Sequence, residues 1–411
     1  MPFQVAFFVE ARIKMKNLIN FENKISAIDL FAGAGGLSLS AINLGINLLA
    51  AVEIDLDSCR TYENNIINKK SPMTRMYNED ITYLSPKKFR DDLNLKSREL
   101  DLLIGGPPCQ GFSEHRIKGD GISDPRNSLL IRYFDFVREL RPKVFVVENV
   151  PGLLWERHEL YLQKFKNLST RNGYKLVGPD KLNAKDFGVP QNRTRVFIMG
   201  IRTDIFSKSI IWPPQMTHYK PGSGVPEWRT ASEVFQTPPK WALKVLKKKI
   251  DKNILEKLSF GETILSKKKD PSAIHMNHTN DLKKRFAMTP VNCSREDVDF
   301  RLPCHDNGYD GHKDVYGRIK LAQPGPTITT GCFNPSKGRF LHPWQNHGIT
   351  IRHSARFQTF PDDFIFEGGL TSQAKQVGNA VPIKLGEVVL EKAGFFVMCA
   401  KDLSNNIEKV G

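Results

Sequence analysis

SAIDLFAGAGGLS, residues Ser26 to Ser38, is the stretch on which the fold turns. A short apolar run ends at Gly33, Gly35 and Gly36, and a helical pattern begins at about Leu37. Glycines without side chains let a ligand reach the backbone, and the amides that open a helix suit a nucleotide-like group. Ser38 stands where G-x-G-x-x-G needs its third glycine, which weakens a reading as an NAD enzyme. Outward from this turn, apolar runs at 48–52, 102–104, 144–147 and 196–199 alternate with helical stretches, as the run at 27–31 does. That alternation predicts a doubly wound α/β sheet whose ligands gather at the carboxyl ends of the strands. Glu53 ends the second run about 20 residues on, where an acid can accept from ribose hydroxyls. Asp80, in NEDI, is placed for an adenine amino group. A plain turn and a helix-capping acid are the competing readings of such residues.

The chain has 411 residues, enough for two domains. After residue 202 prolines cluster, lysines run together at 247–249 and 267–269, and strand periodicity is lost. The division expected is an extension at 1–24, a first domain at 25–202 completed by about 371–411, and a second at 203–370. Apolar residues at helical spacing over about 382–400 predict a closing helix that packs on the first domain. A formal net charge of +16 points to a polyanionic partner, the alternative being a solvated lysine-rich surface. Six cysteines without a C-x-x-C pair argue against a disulfide framework or zinc ribbon and fit a reducing, cytoplasmic setting. No apolar run approaches the roughly 20 residues of a membrane span, and PFQVAFFV has its basic residues after it, so neither an anchor nor a signal peptide is expected.

GGPPCQGFS, residues 105–113, follows an apolar strand and sets Cys109 behind two prolines that fix the backbone. Gly111, Gly119 and Gly121 would let the polar stretch after it move as a lid. A buried structural cysteine is the alternative, against which the loop position argues. KVFVVE ends in Glu148, followed by Asn149. Arg193 and Arg195, two apart in an extended stretch, are expected to face one side of a strand.

DLFAGAGG, GGPPCQGFS, VENV, QNRTRVFI and QVGNAVP, in this order, resemble the motif set of the DNA cytosine-5 methyltransferases, over about residues 26–202 and 315–383. The resemblance implies a Rossmann-like S-adenosylmethionine-dependent methyltransferase sheet with a smaller target-recognition domain. Cytosine C5 is a poor nucleophile, so a thiolate must add at C6 before C5 can take a methyl group. The resemblance gives that role to Cys109, and nearby positive charge would lower its pKa. It assigns the acid at N3 to Glu148, the cytosine carbonyl to Arg195, and orientation of the site near Cys109 to Arg193, with Gln191 less defined. Implied cofactor contacts are Phe31, Gly33, Gly35, Gly36, Glu53, Ile54, Asp80, Ile81, Pro108, Leu129, Asn379 and Val381. Pro107, Gln110 and Ser113 would touch the substrate.

The implied substrate is double-stranded DNA with the target base flipped out, because a stacked cytosine cannot present C6. Lysines in 203–315 would hold phosphates without reading sequence. His275, His278, Cys293, Cys304 and His305 follow no regular ligand spacing, so no metal is expected. His353 stands where the family more often has an acid and Phe357 where it often has leucine, which changes the hydrogen bonding expected locally. The function expected is that of a bacterial modification enzyme: a cytoplasmic monomer, nucleoid-associated while acting, encoded with a cognate restriction endonuclease and giving S-adenosylhomocysteine as product. A tRNA cytosine-5 methyltransferase and an inactive DNA-binding homologue are the alternatives.

Overall fold

The computed structural model describes residues 21, 24–108, 128–206, 211–266, 268–298 and 314–408. Cys109, Gln110 and Ser113, the glycines at 111, 119 and 121, Cys304, His305 and nearly all of the 1–24 extension lie outside the described residues. The chain divides into two compact units. The first comprises residues 1–183, 194–217 and 383–411, and the second 184–193 and 218–382.

The first unit opens with β1 (Ser26–Leu30), α1 (Gly36–Asn43), β2 (Asn47–Glu53), α2 (Leu56–Tyr62), β3 (Arg75–Asn78), α3 (Pro86–Asp92) and β4 (Leu102–Gly105). It continues with α4 (Ser128–Leu140), β5 (Val144–Asn149), α5 (Glu159–Arg171), β6 (Tyr174–Asn183) and β7 (Thr194–Arg202). The sheet order is β3-β2-β1-β4-β5-β7-β6. The first five of these are parallel, while β7 runs antiparallel to both β5 and β6. Strand order therefore reverses between β1 and β4, and a crevice opens beyond the carboxyl ends of strands on either side of such a switch.

Parallel strands covered on both faces carry continuous apolar runs, and β4 and β5 are buried along their whole length. On one face Phe145 of β5 meets Phe165 of α5 edge-on at 6.0 Å between centroids, and Phe134 of α4 meets Phe165 at 5.7 Å. Gly200 of β7 makes room for this layer, since a Cβ there would lie 2.1 Å from the Phe145 ring. The five apolar runs read from the sequence are strands, and two further strands flank them. β3 is a four-residue edge with no fully buried residue, and β6 is broken by a register shift between Val177 and Asp180. Neither presents an apolar run.

The second unit contains α6 (Lys240–Leu246), α7 (Lys252–Glu256), α8 (Asn280–Met288), α9 (Ile351–Phe357) and α10 (Leu370–Asn379), joined by turns and isolated bridges. Buried Arg318 organises part of it by donating to the carbonyls of Phe286, Thr289, His342 and Gln345 and to Asn346 Oδ1. Arg352 pairs with Asp270 through two hydrogen bonds of 2.7 and 2.9 Å. His353 takes the place of an acid in a capping box, its Nδ1 accepting from the Thr350 amide at 3.1 Å while its own amide donates to Thr350 Oγ1. The altered residue thus keeps the helix start satisfied, and Phe357 fills the space that Gly325 leaves.

The chain returns to the first unit as α11 (Ile383–Glu408). Ser40 of α1 donates to the carbonyl of Ile383 at 2.9 Å, and Gly386 lets the two helices touch, because a Cβ there would lie 2.3 Å from Ser40 Oγ. The closing helix predicted over 382–400 is therefore present and packs where expected. Among the described residues no helix is long and apolar enough to cross a membrane.

Candidate active site

Two groups of side chains gather at the carboxyl ends of the strands around the switch. The first belongs to β1 and β2. Phe31 leaves β1 with a φ of 61°, a left-handed conformation rare for a bulky residue, and Gly33 and Gly35 follow with φ of 55° and 90°. Ile66 Cδ1 would lie 2.3 Å from a Cβ on Gly35, whereas the space beside Gly33 is open. The Gly33 amide donates to Glu53 Oε2 at 2.9 Å, and the Asp55 amide to Glu53 Oε1 at 2.8 Å. Burial raises the Glu53 pKa, against the lowering effect of these two bonds. Glu53 thus braces the glycine turn and still has lone pairs for a ligand. Asp80 is half-buried, and its Oδ1 accepts from the amide and hydroxyl of Thr82. Ile54 is 62% exposed, Ile81 is buried, and Leu129 and Phe31 lean on the core without being enclosed by it.

Asp29, behind the turn, is a residue the sequence analysis passed over. It is buried, its Oδ2 accepts from Ser38 Oγ at 2.6 Å, and its Oδ1 has no partner among the described residues. Ser38 Oγ in turn accepts from the Tyr62 hydroxyl at 2.9 Å. Burial lifts the Asp29 pKa to about 7, the Ser38 bond opposes this, and the Glu53 charge adds to it. The available signal was an acid inside the apolar run SAIDL. Ser38, where the dinucleotide fingerprint wants glycine, is explained by the same bond.

The second group sits on β4, β5 and β7. Glu148 opposes Phe197 across the β5–β7 pair, so Arg195, two residues before Phe197, falls diagonally opposite Glu148 on the same face. Arg195 Nε lies 2.9 Å from Glu148 Oε1, with both side chains about nine-tenths buried. Burial lowers the Arg195 pKa and the Glu148 charge opposes that shift. A Cβ on Gly106 would lie 3.0 Å from Glu148 Oε2, so the carboxylate faces the residue that follows β4. Asn149 holds that start by donating to the Pro107 carbonyl at 3.2 Å, and its own Oδ1 accepts from the Val150 amide. Pro107 is buried and Pro108 exposed.

Arg193 is placed differently from expectation. β7 begins at Thr194, so the alternation that pairs residues 193 and 195 on one strand does not reach Arg193. Its guanidinium is wholly buried in the second unit and donates to the carbonyls of Ile328, Gly378 and Ala380. Gln191, also buried there, donates to the Phe357 carbonyl and Gln358 Oε1 and accepts from the Ile328 amide. Gln358 donates to the carbonyls of Val377 and Ala380. Arg193 and Gln358 thereby set the backbone of the GNAVP turn, with Gln191 bonded to Gln358, and on that turn Asn379 is exposed and Val381 buried. Among the described residues no group of three or more His, Cys, Asp or Glu is placed to hold a metal. His275 instead stacks on His347 at 4.0 Å.

A doubly wound sheet with an antiparallel pair at one end, a glycine cradle after its first strand and a buried acid–arginine pair across β5 and β7 defines a Rossmann-like methyltransferase. The model of the family described as C-5 cytosine-specific DNA methylase matches residues 25–394, and the chain belongs to that family. It is 32% identical to the type II methyltransferase M.DdeI of Desulfomicrobium norvegicum, over 90% of this chain and 89% of that one. It is also 32% identical to the type II methyltransferase M1.HphI of Haemophilus parahaemolyticus, over 89% and 86%. A crystal structure of a protein assigned as a DNA modification methyltransferase of an E. coli prophage superposes with a TM-score of 0.63 at 26% identity, covering 91% of this chain and 99% of that one. The enzyme is thus a DNA cytosine-5 methyltransferase of the type II restriction-modification kind.

Proposed function

We propose that this enzyme methylates C5 of a cytosine flipped out of duplex DNA, with S-adenosylmethionine as donor and Cys109 as nucleophile. The observation that carries the reading is the Arg195–Glu148 pair facing Gly106, three residues before Cys109 in the sequence. When bound, the donor supplies a methyl group on a sulfonium and leaves as S-adenosylhomocysteine. Its adenosine fits the residues present: open space at Gly33, a Glu53 carboxylate oriented by two amides, and apolar Ile54 and Ile81 beside Asp80.

The Cys109 thiolate adds to C6, and the displaced electron pair makes C5 nucleophilic while charge grows on N3. Glu148 meets N3 with a proton or hydrogen bond, and Arg195 holds the carboxyl in place and donates to the cytosine carbonyl oxygen. After C5 takes the methyl group, its proton leaves to a base and the carbon–sulfur bond breaks, which restores the thiolate. Pro107, Gln110 and Ser113 are assigned to the flipped base and Pro108 to the donor. In the cell the product would protect DNA from a cognate endonuclease, with the enzyme acting as a cytoplasmic monomer on the nucleoid.

Labelled S-adenosylmethionine offered with duplex DNA and with bulk tRNA tests the substrate, and transfer to DNA alone is expected. Cys109→Ala should bind both partners and transfer nothing, and duplex carrying 5-fluorocytosine should trap a denaturation-resistant adduct. Transfer by Cys109→Ala, or label on tRNA alone, would refute the assignment.

A further inference from the structure

The turn from Asp80 to Leu84, which carries two of the residues set against the adenosine above, is held from behind by a side chain on a distant helix. Arg132 of α4 donates from Nε to the Ile81 carbonyl at 2.9 Å and from Nη2 to the Leu84 carbonyl at 2.6 Å. Its remaining nitrogen, Nη1, pairs with Asp135 Oδ2 at 3.0 Å, and the guanidinium lies 5.4 Å from the centroid of the Phe136 ring. Asp135 and Phe136 both belong to α4, so the fork is oriented by its own helix and presented to the two carbonyls.

The turn's own bonds do not orient it against the sheet. Asp80 Oδ1 accepts from the amide and hydroxyl of Thr82, and the Tyr83 amide donates to the Asp80 carbonyl, which closes the turn on itself. The buried side chains of Ile81 and Leu84 set its depth, but apolar packing is non-directional, and Tyr83, 88% exposed, adds no anchor. Two directed bonds from one planar group supply the missing constraint. Asp80 Oδ2 has no partner among the described residues, so its direction follows from the orientation of the turn. Leu129, three residues before Arg132, shares its face of α4. One helix face thereby serves the adenine twice, by the Leu129 side chain and by the turn that Arg132 holds.

We infer that Arg132 is a positioning residue for the donor, aiming the Asp80 carboxylate at the adenine amino group by holding the Ile81 and Leu84 carbonyls. The inference rests on the assignment of Asp80 and Ile81 to the adenine. Lysine at 132 keeps the charge but lacks the fork that reaches both carbonyls and Asp135 together. The test is calorimetric titration of the full-length protein and Arg132→Lys with S-adenosylhomocysteine and with S-inosylhomocysteine, which has a carbonyl in place of the amino group. The wild type should bind the adenosyl compound about 10-fold more tightly or better, since a carboxylate facing a carbonyl has no hydrogen bond to accept. Arg132→Lys should weaken the adenosyl compound by about 5- to 50-fold and the inosyl compound by less than about 2-fold, which collapses the preference. With Asp80→Ala already in place, Arg132→Lys should change the ratio no further. In transfer assays the same variant should raise KM for the donor and leave kcat as it was. Equal weakening of both compounds, or an undiminished preference, overturns the inference and leaves the adenine assignment standing. A wild type that does not distinguish the two compounds overturns both. Hydrogen exchange in the ligand-free wild type needs no variant: the Thr82 and Tyr83 amides should be protected, and fast exchange at both also overturns the inference.

Discussion

Asp29 shows how much a single buried oxygen can report. Its pKa near 7 belongs to the fold, because burial and the Glu53 charge favour its neutral form while an unfolded chain would titrate at the ordinary value of 3.8. The folded chain therefore binds the extra proton between these values, and the stabilisation is present at low pH and lost as pH rises through about 7. Asp29→Asn keeps the shape and removes the titration. It should melt higher than the wild type at about pH 8.5 and show little advantage at about pH 5, by differential scanning calorimetry. Glu148 poses a different question, since Gln can donate to N3 and accept from Arg195 but cannot exchange a proton or form an ion pair. Glu148→Gln should lower the methyl-transfer rate by about 10²- to 10³-fold with donor binding retained. A single-turnover assay beside a donor titration separates the two effects.

At the scale of elements, register decides what the sheet delivers. The Glu148–Phe197 pairing places Arg195 against Glu148, and a slip of one residue would turn Arg195 to the other face. Gly200 helps to keep that register by admitting the Phe145 ring. Gly200→Ala should cost about 1 to 3 kcal/mol by overpacking, seen as a lowered urea midpoint, and should reduce activity through the displaced strands. Reading the sequence located the five strands with apolar runs because burial on both faces leaves a one-dimensional signature. β3 and β6 lack it, since an edge strand needs no continuous apolar face, and β6 is interrupted at Gly178-Pro179. That Glu148, Arg195 and the glycine turn lie at strand ends was legible from their motifs. The work of Arg193, Gln191 and Gln358 was not, because they donate to backbone carbonyls 135 to 187, 166, and 19 to 22 residues away respectively, and no side-chain pattern marks a carbonyl.

Over the whole molecule the second unit carries its own pH sensitivity. His342 and His353 are fully enclosed, and burial holds both well below the usual imidazole range. Burial also lowers His347 to about 4, helped by His275 stacked against it. These rings are neutral in the fold, so an unfolded chain binds more protons as pH falls below the ordinary 6.5. Their contribution is present above that value and lost toward about 4. The melting temperature should drop between these limits, and His347→Gln, which cannot charge, should flatten the drop in a pH series of thermal melts.

The seam between α1 and α11 has a consequence for synthesis. Helix α1 borders the glycine cradle, yet the surface that Ser40 and Leu37 need against Gly386 is encoded only after the second unit has been translated. On the ribosome that helix pair cannot close until the residues from 383 onward have followed the second unit, so α1 stands without its packing partner although the motifs up to residue 202 are already made.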